Sequence, residues 1–328
     1  MAFVSVIIAT RNRQALLAQT LDALARQQWP RDRFEILVAD NGSTDGTRAV
    51  VDAAAGRPDS PAMKYLFVAE PGKSHAVNAA LALARGDVLA FTDDDVRPEA
   101  TWLERLAAAF EEPRVAFVSG RVRPIWEVSP PEWMSPSLYG VLAIPDNGDA
   151  RLPMTRGLNE HIVPIGANMA VRASVVRRLG GLHPELGKLE GSLRTGEDHE
   201  FFLRMLHAGC SGVYEPDALV CHWVPRERLQ RSYFRRWLYQ NGRDVSRLET
   251  AYARSMRHLL GVPRYLWRQA AADVWAALRA AFSGNRAARF AAGVRVLWFG
   301  GYLRESWFGA RQPRPRTSTV SSMADAAS

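Results

Sequence analysis

Val88-Leu89-Ala90-Phe91-Thr92-Asp93-Asp94-Asp95-Val96 runs an apolar segment straight into three consecutive carboxylates. The apolar part has the length and composition of a buried strand. Three adjacent acids repel one another and are more stable dispersed in water, so their position at the mouth of such a strand asks for a cation. A hard divalent metal with oxygen ligands supplies one. A solvated acidic turn that caps the next helix is the plainer alternative, because Pro98 and Glu99 precede a helical stretch from Trp102. The chain on either side decides between them.

Upstream, strand and helix signals alternate. Residues 3 to 9 form a Val- and Ile-rich run, and Leu16, Leu17, Thr20, Leu21 and Leu24 follow at helical spacing. A strand from Phe34 to Ala39 precedes a helix from Thr47 to Ala55, and a strand from Met63 to Val68 precedes a helix from Ser74 to Arg85. The segment Val88 to Thr92 is then the fourth strand. This rhythm predicts an α/β fold with a Rossmann-like, mostly parallel sheet and helices on both faces, binding its ligand beyond the carboxyl ends of the strands.

Each polar motif falls at such an end. Thr10, Arg11, Asn12 and Arg13 follow the first strand, and Asp40-Asn41-Gly42-Ser43-Thr44-Asp45-Gly46-Thr47 follows the second. Two glycines among small polar residues let backbone approach a flat ligand and cap the next helix. The third end is Glu70-Pro71-Gly72-Lys73-Ser74-His75, where Lys73 near a helix start suits an anion. None of these has the order of a dinucleotide fingerprint, a phosphate-binding P-loop or a calcium loop. Singly each reads as a turn; together they read as a nucleotide site.

The series Val-Ile-Ile-Ala-Thr-Arg-Asn-Arg (6 to 13), Val-Ala-Asp-Asn-Gly-Ser-Thr-Asp-Gly-Thr (38 to 47) and Phe-Thr-Asp-Asp-Asp (91 to 95) resembles the family 2 inverting glycosyltransferases of GT-A fold. The resemblance implies a nucleotide-diphospho-sugar donor, with uridine ahead of guanosine. By it Asp40 pairs with the base, and Thr10 and Arg13 line the same pocket. Asp93 and Asp95 take ribose and metal contacts, with Asp94 as a neighbour and Mg2+ or Mn2+ as the metal. Relatives commonly carry a second Asp where this chain has Asn41, so Asn41 is not assigned a role.

Downstream, residues 121 to 165 break the rhythm with seven prolines. They read as a long loop whose Trp126, Trp133 and Tyr139 either stack on sugar rings or anchor it to the core. The segment Gly166 to Arg172 is similar to the family's stretch beneath the transferred sugar, which brings in Asn168. Thr195-Gly196-Glu197-Asp198-His199-Glu200 opens a helix, and acids at a helix amino terminus stabilise it through the backbone dipole. The same position keeps a carboxylate ionised, as a general base requires. The match of Glu197-Asp198 to the family's Glu-Asp motif implies that Asp198 takes the acceptor proton and Glu197 orients it or binds the acceptor. His222 ends a short strand, which for a lone His is usually a packed core position; relatives place a metal-binding His here.

The 328 residues, 47% hydrophobic and 23% charged, suit a globular protein with one large domain and an appendage. Its formal charge of +8 is unevenly spread. Residues 1–225 hold 23 Lys and Arg against 28 acids, whereas residues 226–316 hold 19 Arg against 5. The expected organisation is a catalytic domain at 1–225, a basic, aromatic-rich helical region at 226–311 and a disordered tail at 312–328. In the basic region Arg231, Arg235 and Arg236 alternate with Tyr233, Phe234 and Trp237, and Val274, Trp275, Leu278 and Phe282 form an apolar stripe. That pattern suggests a helix lying on an anionic membrane, or helices packed on the catalytic domain with solvated Arg faces. The run Phe290 to Leu303 falls short of the ~20 residues a span needs. No nucleic-acid-binding module accompanies the charge.

Two cysteines, Cys210 and Cys221, make no disulfide framework or paired metal spacing, and no basic leader precedes the first strand. These features point to a cytoplasmic protein at the inner face of the membrane. The expected activity is transfer of a sugar to a glycan or lipid-linked hydroxyl, in polysaccharide or glycolipid synthesis. A nucleotidyltransferase on a similar sheet and a non-catalytic membrane scaffold are the competing readings. The scaffold expects loss of Asp93, Asp95 or Asp198, all of which are present.

Overall fold

The computed structural model describes residues 1–187, 196–252, 257–282 and 284–309. The expected tail at 312–328 and the Thr195 of the acidic motif lie outside them. The first half follows the alternation: β1 (Val4–Thr10), α1 (Gln14–Ala25), β2 (Phe34–Asp40), α2 (Thr47–Ala55), β3 (Ala62–Phe67), α3 (Lys73–Leu81) and β4 (Val88–Asp93). These four strands are parallel in the order β3-β2-β1-β4. Their register sets Thr10 beside Asp40 and Ala9 beside Asp93, so the polar ends of three strands share one edge.

The second half continues with β5 (Val96–Pro98), α4 (Trp102–Ala109), β6 (Val115–Trp126), β7 (Leu152–Met154), β8 (Met169–Arg172), α5 (Ala173–Leu179), α6 (Glu197–His207) and β9 (Ser211–Val224). Here the sheet turns mixed. β8 lies antiparallel between β4 and β6, β9 runs parallel to β6, and β5 and β7 pair antiparallel with β9. Among the described residues this makes nine strands in one sheet.

Residues 121–126 are a correction to the expected loop, since they extend β6 along β9 as far as Trp126. Pro124 is tolerated because β8 pairs with β6 only over Phe117 to Ser119, which leaves an edge beyond. Trp126, Trp133 and Tyr139 all pack against the core. The rings of Trp126 and Tyr139 meet at 5.7 Å. These aromatics anchor the segment, and none of them lines the main cavity.

Burial on both faces explains the continuous apolar strands. In β1, Val4, Val6 and Ile8 join the core under α1 and α4, while Ile7 joins a second core with Ala76, Val77, Phe201 and Phe202 of α3 and α6. β2 and β4 alternate in the same way, with Ile36 and Ala90 on one side and Leu37 and Leu89 on the other.

The basic region forms α7 (Arg231–Ala251), the short strands β10 (His258–Leu259) and β11 (Val262–Pro263), α8 (Arg264–Phe282) and α9 (Arg286–Phe308). It is joined to the catalytic core. Phe234 of α7 and Phe290 of α9 belong to the larger core cluster, and the Trp133 ring meets them at 5.3 and 4.5 Å. α7 and α9 cross closely, since a Cβ on Gly242 would lie 2.0 Å from the Trp298 carbonyl oxygen. No helix of the described residues is long and apolar enough to cross a membrane.

Candidate active site

The aligned strand ends open into a cavity of about 740 Å³, within the usual range for small-molecule sites. Thr10 lines it from the end of β1 and Arg13 from just beyond, Asp93 from the end of β4 with Asp94 and Asp95 just past it, Lys73 from the start of α3, Glu197 and Asp198 from the start of α6, and His222 from β9. Nine of the residues singled out in the sequence therefore converge.

The acidic triplet is partitioned among different cations. Asp94 accepts from Thr10 Oγ1 at 2.8 Å and from Arg13 at 2.9 Å, and Arg13 also donates to Asp95 at 2.8 Å. Asp93 Oδ1 holds Lys73 Nζ at 2.6 Å. Asp95 further meets His222 Nε2 at 3.3 Å and Arg228 at 3.8 Å. Burial would raise all three carboxyls. For Asp93 the adjacent Lys73 overcomes that and lowers it, and for Asp95 the His222, Arg13 and Arg228 contacts hold it far below the usual range. Asp94, where burial outweighs Arg13, is pushed up to about 6. One geometry thus gives three neighbouring acids three different proton affinities.

On the facing wall, Gly196 enters α6 with φ +118°, a left-handed conformation that glycine adopts without strain. Asp198 Oδ2 accepts the Gly166 N–H at 2.7 Å, while its Oδ1 is buried with no hydrogen-bond partner. A Cβ on Gly166 would stand 3.2 Å from both Asp198 oxygens and from Lys73 Nζ. Burial raises the Asp198 carboxyl, with Lys73 and the Gly166 N–H drawing it part of the way back. Glu197, buried beside it, is pushed up to about 7 by burial and then by the Asp198 charge. For Lys73, burial acts to lower the ammonium, but Asp93, Asp198 and Glu197 together hold it well above the usual lysine range.

Two expected site residues stay off the cavity wall. Asp40 is 1% exposed, and its oxygens are taken by the Tyr65 hydroxyl and the Ser43 N–H, both at 2.8 Å. Asn168 is fully buried; its Oδ1 accepts from Trp102 Nε1 at 2.8 Å and its amide donates to the Arg121 and Ala218 carbonyls at 2.7 Å. Its side chain clamps α4, β6 and β9 together by bonding the Trp102 indole of α4, the Arg121 carbonyl of β6 and the Ala218 carbonyl of β9. Asn168→Ala is therefore expected to cost about 3 kcal/mol of stability by stranding buried polar groups, measured by denaturant unfolding, with little change in donor binding at low temperature. Asn41, left without a role, does line the cavity. Its side chain ties down the next loop by donating to the Glu70 carbonyl and accepting from the Gly72 N–H.

Residues absent from the sequence-based set complete the wall. Arg228 comes from the short 3-10 helix Arg226–Leu229, and Tyr233, Trp237, Asn241 and Asp244 come from α7. Spacings of four and eight put Tyr233, Trp237 and Asn241 on one helix face. Tyr233 and Trp237 belong to the alternating pattern that fits either a helix lying on a membrane or helices packed on the catalytic domain, and here they line the cavity.

A divalent metal fits this donor set. Among the described residues no three His, Cys, Asp or Glu side chains are already gathered around a point. Asp95 and the 2%-exposed His222 instead form a two-donor pair, with His222 Nδ1 lacking a partner. Mg2+-type sites commonly use one or two carboxylates and complete their shell with substrate phosphates and water.

Residues 5–180 match the family described as "Glycosyl transferase family 2". Succinoglycan biosynthesis protein ExoM of Rhizobium meliloti is 30% identical over 248 residues, which is 75% of either chain. Glycosyltransferase AglE of Haloferax volcanii is 29% identical over 71% of each. Among solved structures, mannosyltransferase PcManGT of Pyrobaculum calidifontis, in complex with GDP-Man and Mn2+, superposes with TM-score 0.65 at 22% identity, covering 93% of this chain and 87% of that one. TarS 1-349 of S. aureus in complex with UDP-GlcNAc gives 0.53 at 18% identity, with 90% of both covered.

Proposed function

The chain belongs to glycosyl transferase family 2 and has the GT-A fold, and from that premise we propose that it is a metal-dependent, inverting enzyme. It moves a sugar from a nucleotide-diphospho-sugar to a hydroxyl of a glycan or lipid-linked acceptor in polysaccharide or glycolipid synthesis. The observation that carries the proposal is Asp198: one oxygen is tethered to the Gly166 N–H, and the other is unpartnered and buried on the wall of the cavity that holds the acidic triplet.

Asp198 takes the proton of the acceptor hydroxyl as that oxygen attacks the anomeric carbon, and the nucleoside diphosphate departs from the opposite face. Glu197 orients the acceptor beside it. Lys73, held between Asp93 and Asp198, keeps the base from being surrounded by uncompensated negative charge. Thr10 and Arg13 fix Asp94 and Asp95 for the donor, and Tyr233 and Trp237 offer aromatic faces to a sugar ring. Asp95, His222 and, once it parts from Lys73, Asp93 would hold Mg2+ or Mn2+. When bound, that ion supplies Lewis-acid stabilisation of the departing diphosphate. The metal- and donor-bound relative supports this reading. Uridine remains the first candidate for the nucleotide, as in the UDP-GlcNAc complex of TarS, with guanosine second.

The test is product analysis with purified protein, Mn2+ and a panel of UDP- and GDP-sugars. Release of nucleoside diphosphate with inverted anomeric configuration by NMR is expected. An intact nucleotide on the product, or a retained anomer, overturns the assignment.

The acid side of the pH–rate profile follows from Asp198. A base works deprotonated, and burial raises this carboxyl, so kcat/KM is expected to rise with pH along a limb lying above the ordinary aspartate value of about 4. A rate that stays level down to that value would remove Asp198 from the role.

A further inference from the structure

On the side of α7 turned away from the cavity, a second recess of about 250 Å³ lies between α7 and α9. Arg231 and Arg235 of α7 and Arg286 and Arg289 at the start of α9 surround a floor of Phe290 and Val294, both buried. Arg231 and Arg235 sit about 200° around the helix from Tyr233 and Trp237, so recess and cavity use opposite faces.

The same helix pair neutralises its arginines elsewhere. Arg243 and Arg247 close on Glu305 at 2.9 and 2.6 Å, and Arg295 closes on Asp273 at 2.5 Å. None of the four recess arginines makes an ion pair with a described residue. Arg231 lies over the Trp133 and Phe290 rings at 5.5 and 5.6 Å, and Arg235 over Phe290 at 5.8 Å. Stacking fixes the guanidinium planes while their N–H edges stay available to an oxyanion. Four like charges around one recess repel one another, and phosphate oxygens relieve this with bidentate hydrogen bonds.

An apolar ledge adjoins the recess along the chain. Trp275, Leu278 and Phe282 occupy one face of α8 and are 63%, 51% and 91% exposed. The opposite side of α8 is turned to α9 through the Asp273–Arg295 pair. Phe282 ends α8 and Arg286 opens α9, so they stand at most about 14 Å apart. A ligand offering phosphate and hydrocarbon together matches this corner better than the uniformly polar backbone of a nucleic acid.

We propose that this corner docks on an anionic phospholipid bilayer, with headgroup phosphates in the Arg231–Arg235–Arg286–Arg289 recess and Trp275, Leu278 and Phe282 in the interface. It holds whether or not the catalytic proposal does. The test is co-sedimentation of the full chain with vesicles of equal parts phosphatidylglycerol and phosphatidylcholine, against vesicles of phosphatidylcholine alone. Binding to the anionic vesicles only is expected. A basic residue near such a surface contributes about fivefold, so replacing all four arginines by Gln should weaken binding by roughly 600-fold. Trp275→Ser with Phe282→Ser should weaken it about tenfold.

The fourfold Lys variant, which keeps the charge but loses the stacked, bidentate guanidinium forks, should bind more weakly than the wild type and more tightly than the fourfold Gln variant. If the fourfold Gln variant fails to fold, the exposed pair Arg286→Gln and Arg289→Gln carries the test, with a loss on the order of 10-fold expected. Equal binding of the Gln variants and the wild type, equal binding to neutral vesicles, or no vesicle binding by the wild type would each overturn the proposal. Wild-type binding to polyglutamate without vesicle binding would reassign the recess to an acidic protein and overturn it as well.

Discussion

Asp198→Asn lowers kcat by about 10²- to 10⁴-fold, the contribution of one positioned base, while donor affinity by calorimetry stays within a factor of about three. The side chain keeps its shape and can still accept from the Gly166 N–H, as Asp198 Oδ2 does at 2.7 Å. What it loses is proton affinity at the buried, unpartnered oxygen. Stability moves the other way. Burial holds the folded Asp198 carboxyl above its unfolded value, so its ionised form opposes folding above that unfolded value, and a neutral Asn is expected to leave Tm unchanged or raise it. A loss of activity accompanied by loss of the fold would speak for a structural role. Undiminished transfer would exclude Asp198 as the base.

Asp95→Asn removes metal-dependent donor binding, by more than the 10- to 100-fold that substitutions of outer partners cost. The measurement is donor titration with and without Mn2+. The wild type should show a large difference between the two conditions and the variant almost none. This substitution also weakens the fold, since Asp95 is the shared counter-ion of Arg13, His222 and Arg228. Breaking a buried pair costs 3–5 kcal/mol; with the Arg13 side chain about 35% exposed, roughly 2 kcal/mol is expected. The titration is therefore made well below the variant's Tm. Asp95 is held far below the usual carboxylate range. Its stabilisation is present above the unfolded value and is lost as pH falls through the folded one, so the gap in stability between wild type and variant should close in strong acid.

The parallel half of the fold was readable because β1, β2 and β4 are buried on both faces and each helix on one, which writes continuous apolar runs and a period of 3.6 directly into the chain. Helix α2 starts and ends at Thr47 and Ala55, the bounds its periodicity predicts. The segment 121–165 was not readable in this way. β6 persists through Arg121–Trp126 by pairing with β9, about a hundred residues away, and such non-local pairing can override the local signal of Pro124.

The same division runs through the site. Motifs at strand ends and at one helix start, together with the family resemblance, singled out Thr10, Arg13, Lys73, Asp93, Asp94, Asp95, Glu197, Asp198 and His222 as candidates, and all of them line one cavity. Asp40 and Asn168 carry the same kind of motif signal, yet Tyr65, Ser43, Trp102 and two carbonyls claim their polar atoms. A sequence names an amide or a carboxylate without saying which neighbour will use it. Tyr233 and Trp237 show the converse, since an amphipathic stripe reports that a face is buried but not against what.

The sequence by itself determined the element order of the parallel half, the strand-end edge where the polar motifs gather and the residue types on that edge, because these depend on local period and composition. Only the tertiary structure decided which of those residues face the cavity, how Lys73 and Arg13 divide the three aspartates between them, and that the basic carboxyl-terminal region supplies a wall of the site. Those outcomes depend on contacts between residues far apart in the chain, such as Arg13 with Asp95 and Gly166 with Asp198, and the geometry that creates such contacts exists only once both cores have closed around the sheet.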